Sequence, residues 1–427
     1  MKKKLVSILL TSAMVAGMCV SGVSAEEKVT LTYAFSGTGS AAAEYEKLFD
    51  KFEEENPNIN VELVFIPNTD WPDFIAKMET MIAGGTEIDA CHLTNESMPV
   101  FYDLDMLECM DPYIEAHPEW FSYMDDLAEM CQITYERDGK TYGVAKDWNT
   151  VVAQFNKEML AEAGLEVPDA DWGKEEFLEY CEKLTVKNED GSTRYGCVIP
   201  MYYFGYNAWF MANGGRIFNE DFTECTINCP EIVEVVQLWQ DLIYEYGYAS
   251  VPQASDDAVT MLMNEQTAMQ FSGMWSLASF IANDWKNTVV QTLPKMNPDN
   301  YHPINGVGGT GVLKASKHIE EAMKLAAFTG DDYYIRNVSL ANGYVPARTS
   351  MMEDIVNSFD YIDNKELFYT TAPDSYPAEC TPSYASDGVI ITRYLTECLS
   401  SADADIQSLL DQCAKEVTEV RQKNINE

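Results

Sequence analysis

The sequence predicts an α/β fold in two lobes with a cleft between them. Strand-like and helix-like patterns alternate from residue 29 onward, which implies parallel strands joined by right-handed crossovers. About 400 residues remain after an N-terminal leader, more than one core usually holds. The alternating pattern also restarts past residue 142, after extended, Gly-punctuated chain.

The elements follow in order. Residues 29–35 (VTLTYAF) are β-branched and aromatic and read as a strand, and 36–40 (SGTGS) turn. Residues 41–55 carry Ala42, Tyr45, Leu48, Phe49 and Phe52 at helical spacing. Asn56-Pro57-Asn58 ends that helix, and 59–66 (INVELVFI) form the next strand. A helix over 73–83 stops at Gly84-Gly85, and a short strand covers 88–93. In the second half, 142–156 are extended, and 157–164 and 175–184 are helical. A strand over 195–200 leads into the aromatic run 202–210 (YYFGYNAWF). A strong amphipathic helix spans 232–246 and a short strand 268–271. The glycines of 306–311 (GVGGTG) break structure, and helices follow over 318–328 and 403–422.

The first 25 residues read as a secretory signal: Lys2-Lys3-Lys4, an apolar run of about 16 residues, then Val23-Ser24-Ala25. That run is shorter than the roughly 20 residues a spanning helix needs. A retained anchor helix and a lipoprotein cut at Cys19 are the alternatives, the second opposed by Met18, where a small residue is wanted. Any of the three places the protein outside the cytoplasmic membrane. Net charge is −41, which excludes nucleic acid and anionic membrane as partners and favours a neutral or cationic ligand. The ten Cys after the leader are scattered without a C-x-x-C pair; Cys225 and Cys229 are close enough to bridge, and most of the others sit among apolar residues and read as small core side chains. The four His show no zinc-ligand spacing, so no metal and no cofactor are expected.

Gly37-x-Gly39-x-x-Ala42 lies between strand and helix, the setting for dinucleotide binding, but the next strand ends Phe65-Ile66-Pro67 without the acid that holds a ribose. What remains is an amide-rich loop at a helix start. No G-x-S-x-G, H-E-x-x-H or phosphate loop occurs. The aromatics are more informative. Trp71, Trp148, Tyr206, Trp209 and Trp275 fall near element ends, several beside polar groups (Asp70-Trp71, Asp147-Trp148, Tyr206-Asn207). An aromatic face stacks on the C–H face of a sugar ring while neighbouring polar groups take its hydroxyls. Tyr202 and Phe210 are assigned to the core.

Several segments then resemble one family, the extracellular solute-binding proteins (family 1) of ABC importers, maltose-binding-protein-like. They are VTLTYAF with AEYEKLFDKFEEENPNINVELVFIP, residues 139–165, WFMANGGRIFNED, TAMQFSGMWSLASF and GYVPARTS. The resemblance implies a periplasmic-binding-protein-like fold, with a ligand cleft between lobes joined by hinge crossings. The first lobe would hold 26–147 and 312–360, the second 148–311 and 361–427, with hinges near 146–151 and 308–312. It implies a carbohydrate ligand, ABC permease subunits as partners, a monomer and no catalysis. Ser36 and Thr38 would lie in the first ligand-facing loop, Asn95 and Glu96 would take hydroxyls, and Asp147 and Trp148 would face the cleft. Trp275 would be the second-lobe stacking ring, and Arg348 would approach from the late loop. A polyamine or other non-sugar receptor and an exported glycoside hydrolase are the rival readings.

Overall fold

The computed structural model describes residues 28–37, 39–67, 71–254 and 256–426. The leader expected over 1–25 and Thr38 lie outside them. In the large sheet, strands β1 (Val29–Gly37), β2 (Ile59–Pro67) and β3 (Ala90–Thr94) run parallel, as the alternation requires. Helices α1 (Gly39–Glu55) and α2 (Trp71–Ala83) connect them. Four further strands enter from later in the chain: β4 (Val144–Asn149), β8 (Ile304–Val312), β9 (Val345–Pro346) and β11 (Tyr376–Pro377). The spatial order is β9-β4-β8-β3-β1-β2, with β11 beside β8. Because β8 is antiparallel to both β3 and β4, the sheet is mixed rather than parallel.

A second sheet has the order β6-β5-β7-β10, from β5 (Val152–Asn156), β6 (Met269–Ser272), β7 (Thr288–Gln291) and β10 (Ile362–Asp363). Around it pack α3 (Lys157–Glu162), α4 (Lys174–Leu184), α5 (Tyr203–Ala212) and α6 (Pro230–Tyr244). Helices α7 (Ile319–Phe328) and α8 (Asp332–Asn342) return to the large sheet. Then α9 (Tyr384–Cys398) and α10 (Ile406–Asn426) pack together and against α6, and α9 also meets α2 from the other half.

Several expectations change. The run 306–311 is the interior of β8, not a break. Its glycines are tolerated because both edges are hydrogen-bonded and neighbouring side chains fill the space that a Cβ would take. Residues 308–312, expected near a hinge, are paired along both edges; the chain passes between the sheets at 150–151 and 292–303, and again from β9 to β10 and from β10 to β11. β8 therefore belongs to the large sheet, although residues up to 311 were expected in the second lobe. The aromatic run is helix α5, and 195–200 contributes only a bridge from Tyr195 to Thr267. Cys225 and Cys229 are both free thiols. Among the described residues, no helix is long and apolar enough to cross a membrane.

Candidate ligand site between the sheets

Side chains alternate across a strand, and paired residues of antiparallel strands share a face. On β8, Gly306, Gly308 and Thr310 therefore point one way, beside Asn149 and Asp147 of β4 and Thr94 and His92 of β3. The Tyr33 hydroxyl meets Thr310 Oγ1 on this face at 3.1 Å. The two glycines let neighbouring side chains lie close against the strand. A Cβ at Gly308 would stand 2.5 Å from Asp147 Oδ1, and one at Gly306 would stand 3.1 Å from the Phe204 ring.

Phe204 starts α5 in the second half, so its ring is where that half meets the glycine face. Its centroid lies 5.8 Å from Trp275, which in turn meets Tyr202 edge-on at 6.3 Å. The Trp275 ring folds over Gly273, where any Cβ would come within 1.9 Å of Cζ3. On the first half, Trp71 stands edge-on to His92, 5.1 Å between centroids. Aromatic rings from both halves thus border one polar, glycine-floored face.

The polar groups there are held dry. Lys146 is fully buried; its ammonium donates to the Tyr45 hydroxyl at 3.4 Å and lies 3.7 Å from Asp147 Oδ2. Burial raises the Asp147 carboxyl above its ordinary range, an effect that the Lys146 charge opposes. Burial, with Lys146 second, holds the His92 imidazole well below its usual pKa and therefore neutral. Asp147 Oδ2, Asn149 Oδ1 and His92 Nδ1 have no hydrogen-bond partner, which is uncommon for buried polar atoms.

The expected site residues divide. Asp147, Trp71 and Trp275 border this face, and Ser36, one residue before the end of β1, pairs with Ile66. Asn95 is committed to the fold, its Oδ1 accepting from the Val307 amide. Glu96 is buried, and burial raises its carboxyl. The structure places four of the expected residues away from this face. Trp148 points to the opposite face of β4, fully buried, because it pairs with Val307 rather than with a glycine. Tyr206 and Trp209 are fully buried on α5, Trp209 packing edge-on against Phe177, Trp239 and Phe271. Arg348 is bound by Asp126 (2.6 Å) and Asp332 (2.8 Å) at a separate first-lobe cavity of about 560 Å³ that includes Trp120 and Tyr123. Conversely Tyr202, assigned to the core, is 37% exposed, its hydroxyl donating to the Phe271 carbonyl. His92, Asn149 and Phe204 were missed; only the Gly-x-Gly spacing of 306–308 could have indicated a glycine-lined strand face opposite Asp147 and Asn149.

Fold and site define a two-lobed binding protein with its polar face between the lobes. The chain matches the bacterial extracellular solute-binding protein family over residues 47–368, and it belongs to that family. It is similar to an ABC substrate-binding protein of Listeria monocytogenes solved with cycloalternan (TM-score 0.82, 24% identity, 92% of this chain and 99% of that one). It also resembles the maltose-bound MalE3 of T. maritima (TM-score 0.76, 19% identity, 92% and 100%). Among sequence relatives, the arabinooligosaccharide-binding protein of Bacillus subtilis is 22% identical over 456 residues, covering 97% of this chain and 99% of the relative. The multiple sugar-binding protein of Streptococcus mutans is 23% identical over 344 residues, covering 75% and 76%.

Proposed function

We propose that this protein is the solute receptor of an ABC importer and captures a carbohydrate, a di- or oligosaccharide, between its lobes. The observation that carries the reading is the placing of Trp275 and Phe204 beside Asp147 Oδ2 and Asn149 Oδ1, which accept no hydrogen bond, along the Gly306–Gly308 strip. Rings cover the apolar faces of sugars, and oriented oxygens take their hydroxyl donors. The sugar-binding relatives support the same class.

A solute touching both halves stabilises the closed arrangement because only there does it meet both walls. The short link at 150–151 is one place where the chain passes between sheets and takes up the backbone change. Export on the N-terminal signal, with or without a lipid at Cys19, would present the receptor to permease subunits that deliver the solute inward.

The test is a thermal-shift screen of the chain from Glu26 against neutral di- and oligosaccharides, amino acids and polyamines, followed by calorimetry on the hits. A ligand that prefers the native state raises Tm by mass action. A sugar recovered intact supports the receptor. A shift with polyamines alone replaces the ligand class, and sugar recovered in fragments makes the protein a hydrolase.

A further inference from the structure

Two cysteines meet where the end of α4 packs against the chain that follows it. Cys181 lies in the last turn of α4, and Cys197 comes just after the hairpin that pairs 186–187 with 193–194. Both are free thiols, 0% and 1% exposed. Gly196 permits the approach, because a Cβ there would stand 2.4 Å from the Cys181 carbonyl oxygen and 2.7 Å from its Cα. Thr185 locks it: the hydroxyl donates to the Cys181 carbonyl at 2.7 Å and accepts from the Gly196 amide at 3.0 Å. Beyond Gly196, the amides of Cys197 and Val198 donate to the carbonyls of Tyr248 and Met269. The backbone of Cys197 is therefore fixed one residue from a direct contact with Cys181. The side chains also meet: burial raises the Cys181 thiol well above its ordinary range, and a hydrogen bond with the Cys197 thiol adds to the effect. A disulfide needs Cα atoms about 4.4–6.8 Å apart with their side chains facing. The close approach at Gly196 and the touching thiols are the arrangement it requires.

We propose that Cys181 and Cys197 close to a disulfide as the chain folds outside the membrane, stapling the end of α4 to residues 195–198. The proposal rests on the export reading above, since such bonds form and persist in oxidising compartments. The two thiols give up two protons and two electrons as the S–S bond forms. An external disulfide, oxidised glutathione in the test below, takes them up and breaks into two thiols. The exchange precedes closure of the second lobe over the pair. In the folded chain both thiols are sealed, and a raised pKa leaves little of the thiolate that attacks. Once formed, the bond is sealed from reductants in the same way. The chain runs on from Cys197 to Tyr202 and Phe204, so the staple fixes the root of the second-lobe wall of the ligand face.

The test is refolding of the chain from Glu26 in a glutathione redox buffer, which lets wrong bonds reshuffle. The product is then unfolded, alkylated without reduction and mapped by mass spectrometry. The expected result is protection of Cys181 and Cys197 from alkylation, their two peptides joined to each other. Alkylation of either residue, or a bond from either to another thiol, overturns the proposal. That outcome leaves export and solute capture standing, because neither needs the bond. A chain that does not refold is secreted into an oxidising bacterial periplasm and alkylated on release, with the same two readings.

Stability provides an independent check. Oxidised protein should melt about 5 °C above reduced protein, the effect of closing a loop of roughly 15 residues in the unfolded chain. The Cys181→Ala/Cys197→Ala double variant should melt at one temperature in both buffers. A redox difference that survives in the double variant, or none in the wild type, counts against the staple.

Discussion

Trp275 and Trp209 separate the two uses of an aromatic residue in this molecule. Trp275 is half-buried and lies over Gly273 beside Phe204; Trp209 is sealed among Phe177, Trp239 and Phe271. Trp275→Ala should therefore lower affinity for the bound solute by ~1–3 kcal/mol while leaving Tm nearly unchanged. Unchanged affinity in calorimetry would remove the stacking role. Trp209→Ala should do the reverse, costing about 3–5 kcal/mol of stability in denaturant unfolding, with affinity kept in the folded fraction. Sequence context could not tell these residues apart. Both sit in aromatic-rich segments with polar neighbours, and burial depends on which helix face meets the second sheet.

Strand β8 is the element on which the site depends. It pairs with β3 on one edge and β4 on the other, so Gly306 and Gly308 are fixed opposite Asn149 and Asp147. Gly308→Ala places a methyl 2.5 Å from Asp147 Oδ1 and should displace that carboxylate. The expected outcome is a loss of affinity of at least about tenfold, with a small fall in Tm as the strand adjusts. Retained affinity would mean that Asp147 does not touch the solute. The Gly-rich string was read as a break because glycine weakens a strand in isolation. Here the tertiary ladder overrides that propensity on both edges.

At the scale of the whole molecule, stability should depend on pH in an informative direction. Burial raises the carboxyls of Asp331 and Asp387 to about 6, from an ordinary value near 3.8. In the folded state they hold protons that the unfolded chain releases between about pH 4 and 6. Stability should therefore fall as pH rises through that window and be greater at pH 5 than at pH 7.5. The chain's net charge of −41 acts in the same direction, since protonation relieves self-repulsion. Asp387→Asn removes one of the two buried groups, so a Tm series for this variant should have a shallower slope than wild type. Identical slopes would assign the dependence to surface charge alone. Solute binding should also reduce the radius of gyration in small-angle scattering, if the lobes close on it.

The sequence by itself determined the local elements and the class of fold. Periodicity located β1 to β3 and the helices between them, because each has a local cause in alternating or 3.6-residue apolar spacing and a Pro or Gly stop. It also identified Asp147, Trp71 and Trp275 as candidates. Only the tertiary structure decided which of them share a surface. Strand β8 enters the first sheet beside β3 from more than 200 residues away and is antiparallel to β3 and β4. That register turns Asp147 and Asn149 toward the glycines and Trp148 away, as a one-residue alternation must. Arg348 went to Asp126 and Asp332, and Asn95 to the Val307 amide, because long-range partners satisfied them first. Such partners leave no trace in residue spacing, so the site was legible in residue type and illegible in assembly.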